Sequence, residues 1–224
     1  MGSDPVSQCC ARIAVRHCPS LNFGPRRNSL TPILIVIHYT AMASAEAAIA
    51  RLCDPQAEVS AHYLIDRSGP VTQMVNEEHR AWHAGVGEWR GLTDINSRSI
   101  GIELDNDGTH PFPEPQMAAL EDLLRGIRSR WPVAASDIIG HSDMAPGRKS
   151  DPGPRFDWAR LARQGLAAPV SPQMQGEGFE QSAQRAGFTA PVDRATLLTA
   201  TRLRFAPWRE GPITDDDLQL YHRI

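Results

Sequence analysis

Residues 32–38 read Pro32-Ile-Leu-Ile-Val-Ile-His38 and hold the longest continuous apolar run of the chain. From Ile33 to Ile37 every side chain is apolar and most are β-branched, so the segment suits a central strand covered by protein on both faces. Downstream, residues 44–52 are alanine-rich with Ile49 and Leu52 at helical spacing, which predicts a short helix. Residues 60–66 and 71–75 flank Arg67-Ser-Gly-Pro70 and read as a hairpin. Ser99-Ile-Gly-Ile-Glu-Leu104 alternates, with Ile100, Ile102 and Leu104 on one face and Ser99, Gly101 and Glu103 on the other, so the small residues leave open space beside Glu103. Residues 115–131 place Leu120, Leu124, Ile127 and Trp131 on one helical stripe behind Pro115, a residue suited to a helix start. Residues 137–140 form a last short strand that delivers His141. Strands and helices interleave, and the expected architecture is α/β, a central mixed sheet flanked by helices.

Around this main domain, residues 30–164, the chain changes character. Residues 1–29 read as irregular. Two long loops, residues 76–98 and 142–158, interrupt the regular elements, and loops of that length in compact domains are usually functional. Residues 165–178 have the Ala, Pro, Ser, Gln and Gly composition of a linker. Residues 179–224 read as a helical tail, with helices near 179–186, 192–205 and 215–221, the last behind Thr214 as N-cap. That tail is too short for a robust core of its own, so it either rests on the main domain or is a reduced binding module.

The 224 residues carry 23 basic and 26 acidic side chains, a net charge of -3, which argues against a protein whose main partner is nucleic acid or an anionic membrane surface. No apolar run approaches the roughly 20 residues that span a bilayer. The start of the chain lacks the basic-then-apolar pattern of a secretory signal, so the expected location is the cytoplasm, or the periplasm if a leader has been removed. Cys9, Cys10, Cys18 and Cys53 show no framework spacing and are expected as reduced thiols. Lys149 is the only lysine among the 23 basic residues. Elsewhere arginine serves wherever charge alone is needed, and lysine differs from it in being a compact point charge with a movable pKa.

His38 and His141 each follow a buried strand, and Asp151 lies in the proline- and glycine-rich loop after His141. Two imidazoles and a carboxylate fill three positions of a tetrahedral zinc site and leave the fourth for water, the pattern of a catalytic site. Any one of these residues alone has an ordinary reading as a strand-end or turn residue.

Val36-Ile-His38-Tyr-Thr40, Ser60-Ala-His-Tyr-Leu-Ile-Asp66, Ala81-Trp-His-Ala-Gly85, Asn96, Ser99-Ile-Gly-Ile-Glu-Leu104 and Gly140-His-Ser-Asp-Met-Ala-Pro-Gly-Arg-Lys-Ser-Asp-Pro-Gly-Pro154 occur in order. Together they resemble the motifs of the zinc-dependent N-acetylmuramoyl-L-alanine amidases, and most closely the AmpD-like branch, which shares its fold with the peptidoglycan recognition proteins. The resemblance covers about residues 30–160. It implies that His38, His141 and Asp151 hold Zn2+, that Glu103 is the general acid or base, and that Lys149 stabilises the oxyanion. It further implies a muropeptide or peptidoglycan substrate cut between N-acetylmuramic acid, expected in its 1,6-anhydro form, and L-alanine during muropeptide recycling. His62, Trp82 and His83 fall in the same motifs and are expected to line the cleft or support the ligands; Asn96 and Arg148 are expected to bind the peptide. The end of the chain, Leu203-Arg-Phe-Ala-Pro-Trp208 onward, is similar to the closing helices of small peptidoglycan-binding modules, but short. A monomer is expected. The alternatives are an exported amidase acting on intact murein and a recognition module that binds muropeptides without cutting them. A metal-free serine hydrolase would need a nucleophile elbow such as GxSxG, which is missing here.

Overall fold

A computed structural model of the chain describes residues 15–169, 178–214 and 217. In chain order it contains β1 (Val15–His17), β2 (Phe23–Pro25), β3 (Leu34–Tyr39), α1 (Ala45–Cys53), β4 (Tyr63–Ile65), β5 (Val71–Gln73), β6 (His79–Ala81), α2 (Ile95–Arg98) and β7 (Ser99–Leu104). There follow α3 (Glu114–Arg130), β8 (Ile138–Gly140), α4 (His141–Met144), α5 (Trp158–Arg163), α6 (Phe179–Ala186) and α7 (Arg194–Phe205). Six strands form one mixed sheet in the order β1-β5-β4-β7-β3-β8, and β2 pairs with β6 in a separate antiparallel ribbon. Only β4–β5, the expected hairpin, is antiparallel within the large sheet; β3 lies parallel between β7 and β8.

Alternation along β3 sorts its side chains between two cores. Ile35 and Ile37 join Ile100, Ile102 and Leu104 under Leu120, Leu124 and Ile127 of α3 and Leu161 of α5. Leu34 and Val36 face the other way, into a cluster with Ile139, Trp89, Met144, Phe179, Phe188 and Leu197. The parallel register pairs Leu34 with Ser99, Val36 with Gly101 and His38 with Glu103. His38 and Glu103 therefore emerge side by side on the second face, at the carboxyl ends of parallel strands, where open α/β sheets hold their ligands.

The tail helices α6 and α7 supply much of the cover of that second face, so they share the core of the sheet and do not form a separate body. Arg204 of α7 is buried; it donates to Asp143 Oδ2 at 2.8 Å and to the Ile138 carbonyl at 3.1 Å, and it lies 3.7 Å over the Trp158 ring. The change at residue 165 is also not where packing ends, because Leu166 and Ala167 are buried in the first core. The helix expected over 215–221 lies outside the described residues except for Asp217. The irregular start expected for residues 1–29 instead contains β1 and β2, and the loop 76–98 contains β6 and α2. These elements are three or four residues long, too short for a periodic pattern to appear in the sequence.

Candidate active site

The cleft opens beside the ends of β3, β7 and β8. Its volume is about 430 Å³, and its lining includes His38, Trp82, His83, Glu103, His141, Arg148, Lys149 and Asp151. One wall is α1, which presents Ala48, Arg51 and Leu52. Ser44 caps that helix by accepting from the Ala47 N–H, and Ala45, Ala48 and Leu52 are its buried stripe.

His38 is buried because β3 is central, and His141 is placed level with it because Ile37 pairs with Gly140. Asp151 returns on the far end of the following loop, held where its carbonyl accepts from the Ser142 N–H at 2.9 Å. A side chain at Gly140 would meet Pro152 at 2.7 Å, so only glycine allows the returning loop to lie this close. The result is a triangle: His38 Nδ1 to His141 Nδ1 2.9 Å, His38 Nδ1 to Asp151 Oδ2 2.9 Å, and His141 Nδ1 to Asp151 Oδ2 3.1 Å.

The outer hydrogen bonds fix which ring atoms carry protons. His141 Nε2 donates to the Ala84 carbonyl at 2.9 Å, which leaves its Nδ1 as a bare lone pair. The Ser99 hydroxyl donates to the Ile95 carbonyl at 2.6 Å, so it accepts from His83 Nε2 at 3.1 Å. His83 Nδ1 then accepts from His38 Nε2 at 3.0 Å, and His38 Nδ1 is also bare. Burial first, and the neighbouring His141 second, push the His38 imidazole down to about 4, which favours this neutral form. Three lone-pair donors, two imidazole nitrogens and a carboxylate oxygen, thus converge in a buried place, and such a set calls for a cation between them. The donor types and the number of donors fit zinc with one position left open.

Glu103 has no hydrogen-bond partner for Oε2, although that atom is buried. Burial and the charge of Asp151 hold its carboxyl well above the usual carboxylate range, while Lys149 pulls the other way. Lys149 itself is exposed on the rim, tied to its loop by its backbone N–H to the Ala145 carbonyl at 3.0 Å. Trp82 is half-buried in the wall. Arg148 lines the cleft, but its Nη2 donates to the carbonyls of Ala84 and Val86 and so also fastens the loop that His141 leans on.

His62 and Asn96 do not line the cleft. Asn96 Oδ1 accepts from the backbone N–H groups of His83 and Ala84 at 3.1 and 2.8 Å, which sets the loop that carries His83. His62 is buried between β4 and β7, where Nδ1 accepts from the Gly101 N–H at 2.9 Å and burial, with the charge of Arg26, pushes the ring down to about 3. Both support the cleft from behind. The space beside Glu103 that the sequence suggests is also partly filled: the His83 ring lies on Gly101, where a Cβ would approach it to 2.4 Å. Sequence reading missed Ser99 as the end of the His83 chain, and Arg26. The Arg26 guanidinium donates to the carbonyls of Glu77, Asn96, Ser97 and Ser99 and so gathers the loops behind the site. Arg26 gives no periodic signal that could have marked it.

Comparison with known proteins places this geometry. The family described as N-acetylmuramoyl-L-alanine amidase matches residues 28–154. The chain is 41% identical over 181 residues to the N-acetylmuramoyl-L-alanine amidase AmiD of Escherichia coli (strain K12), covering 74% of this chain but 63% of the relative. It is 38% identical over 166 residues to the 1,6-anhydro-N-acetylmuramyl-L-alanine amidase AmpD of the same organism, covering 66% of this chain and 91% of the relative. The solved complex of E. coli AmiD with the substrate anhydro-N-acetylmuramic acid-L-Ala-D-gamma-Glu-L-Lys superposes with a TM-score of 0.75 at 32% identity, over 85% of this chain and 86% of that one. Among the described residues no helix is long and apolar enough to cross a membrane.

Proposed function

The chain belongs to the N-acetylmuramoyl-L-alanine amidase family, and from that premise we propose that it hydrolyses the amide between the lactyl group of 1,6-anhydro-N-acetylmuramic acid and L-alanine, in muropeptide recycling. The observation that carries this reading is the convergence of three bare donors beside a buried, unpartnered carboxyl oxygen in one cleft. His38, His141 and Asp151 would hold the zinc ion. When bound, zinc supplies Lewis acidity toward the scissile carbonyl and toward water.

The chain's own residues do the rest. Glu103 Oε2 takes the proton of the attacking water as oxygen bonds to the carbonyl carbon, and returns it to the alanine nitrogen as the C–N bond breaks. Its upward-shifted carboxyl suits the first half of that cycle, because a carboxylate at its ordinary pKa is too weak a base to take the proton efficiently from water. Lys149 places a point charge where the carbonyl oxygen becomes negative, which a carboxylate in the ligand set makes useful. Trp82 offers an aromatic wall to the sugar or peptide, and Arg148 keeps the loop of residues 84–86 against His141.

The likeness to AmpD over nine tenths of that relative supports the anhydro substrate and, with it, a cytoplasmic setting. The longer likeness to AmiD, whose solved complex holds an anhydro-N-acetylmuramic acid peptide, supports the same substrate, and the second reading is an exported enzyme acting on intact murein. Digestion of a soluble 1,6-anhydro-muramyl peptide and of murein sacculi, each with and without a chelator and read by mass spectrometry, tests both. Chelator-sensitive release of stem peptide from the soluble substrate alone is expected; release from sacculi would transfer the reading to the second, and cleavage of neither would remove the hydrolase.

A further inference from the structure

Away from the cleft chemistry, the end of α1 meets the segment that follows β1. Cys18 Sγ and Cys53 Sγ lie 4.0 Å apart although 35 residues separate them, and Cys53 Sγ is also 3.5 Å from the Cys18 carbonyl oxygen. The meeting is built by the backbone around it. Ser20 Oγ donates to the Leu52 carbonyl at 2.6 Å, and Asn22 Nδ2 donates to the carbonyls of Asp54 and Val59, each at 2.8 Å. On the other side the Cys18 N–H donates to the Gln73 carbonyl at 3.0 Å. Both thiols are half-buried, within reach of a small reagent, and both are free.

We propose that Cys18 and Cys53 are a disulfide site, which under oxidising conditions joins the N-terminal segment covalently to the helix that walls the cleft. The oxidant is a low-molecular-weight disulfide. One cysteine thiolate attacks a sulfur of that disulfide and expels a thiolate, giving a mixed disulfide; the second cysteine then attacks the protein-side sulfur and expels the other thiolate. Two cysteine protons pass to the two leaving thiolates, two electrons reduce the reagent, and one S–S bond forms in the protein. Burial, with Cys18 beside it, pushes the Cys53 thiol up to about 11, so little of it is thiolate at neutral pH and the exchange should speed up as pH rises. The sulfurs must close from 4.0 Å to about 2.05 Å, a change within reach of side-chain rotation because the hydrogen-bonded seam already holds the two backbones together.

The bond would pin the carboxyl end of the helix that gives Ala48, Arg51 and Leu52 to the cleft. It does not depend on the amidase reading, and its presence in cells would mark an oxidising compartment. The test uses the full chain with Cys9→Ser and Cys10→Ser, since those two residues lie outside the described part and would otherwise compete. After incubation with oxidised glutathione, a non-reducing digest should contain the Cys18 and Cys53 peptides joined and lighter by two hydrogens. The Tm should rise by about 5 °C or more over the same protein kept reduced, the scale expected for closing a loop of this length. That rise should vanish in Cys18→Ser and in Cys53→Ser; the reduced parent protein serves as reference should either variant fold poorly. Thiols that stay free or only carry glutathione, or a joined protein with an unchanged Tm, would overturn the proposal.

Discussion

His38 Nε2 donates to His83 Nδ1 across 3.0 Å, and this bond fixes which nitrogen of His38 faces Asp151 and His141. The direction is set further out, where the Ser99 hydroxyl is committed to the Ile95 carbonyl and so must accept from His83. A ligand imidazole oriented by such an outer partner binds metal more tightly than one free to flip, commonly by 10- to 100-fold.

His83→Ala should therefore weaken zinc binding by about 10- to 100-fold while the protein stays folded. Competition against a chromophoric chelator measures it. Gly101→Ala should act in the same direction, because its new methyl group would displace the His83 ring from a contact of 2.4 Å. Wild-type affinity in both variants would show that the chain from Ser99 to His38 does not set the site.

Lys149→Arg keeps the charge and changes its shape, so zinc content should not move while turnover falls by at least about tenfold, less than the roughly 100- to 1,000-fold for outright loss of an oxyanion donor. Steady-state release of stem peptide, with zinc measured on the same sample, separates the two effects. Normal turnover would remove any special role for the lone lysine.

Acid stability should depend on Glu77. Burial raises its carboxyl, but hydrogen bonds from Arg130, Trp131 and Tyr63 outweigh this and hold it below the ordinary range. A depressed carboxyl contributes stability above its unfolded pKa and loses it as pH falls through the folded value. Glu77→Gln should thus cost about 2 kcal/mol at neutral pH, a figure reduced for the solvent around half-exposed Arg130, and the gap to wild type should narrow below about pH 4. Urea unfolding at several pH values supplies the comparison; a gap that widens on acidification would contradict the assignment.

Arg204→Ala leaves Asp143 buried without its cation, beside the turn that presents His141. The expected loss is about 3–5 kcal/mol, seen as one cooperative transition because α7 shares a core with the sheet. Two transitions in the wild type, one assignable to residues 178–214, would instead make the tail an independent unit.

Much of this was legible in the residues themselves. The apolar run of β3, the alternation of β7 and the stripe of α3 each extend over a full period of their element, so pattern alone located them. Motif alone singles out His38, Glu103, His141, Lys149 and Asp151 as candidates, and the fold brings all of them to one cleft. What escaped depends on contacts between distant residues. No local pattern tells that Asn96 spends its oxygen on the backbone of His83 and Ala84, that Arg26 gathers carbonyls some 50 to 70 residues away, or that Cys18 meets Cys53. The tail's helices α6 and α7 were readable, but its place on the sheet follows from Arg204 and Phe179, whose partners lie far away in the chain.

In the proposed function Glu103 moves the proton, and the metal would be held by His38, His141 and Asp151. Bound zinc and stem-peptide release, measured together on Glu103→Gln, test it most directly. Zinc should stay at the wild-type level while turnover falls by about 100-fold or more, the contribution typical of a positioned acid or base. Turnover near the wild-type rate with zinc retained would contradict it.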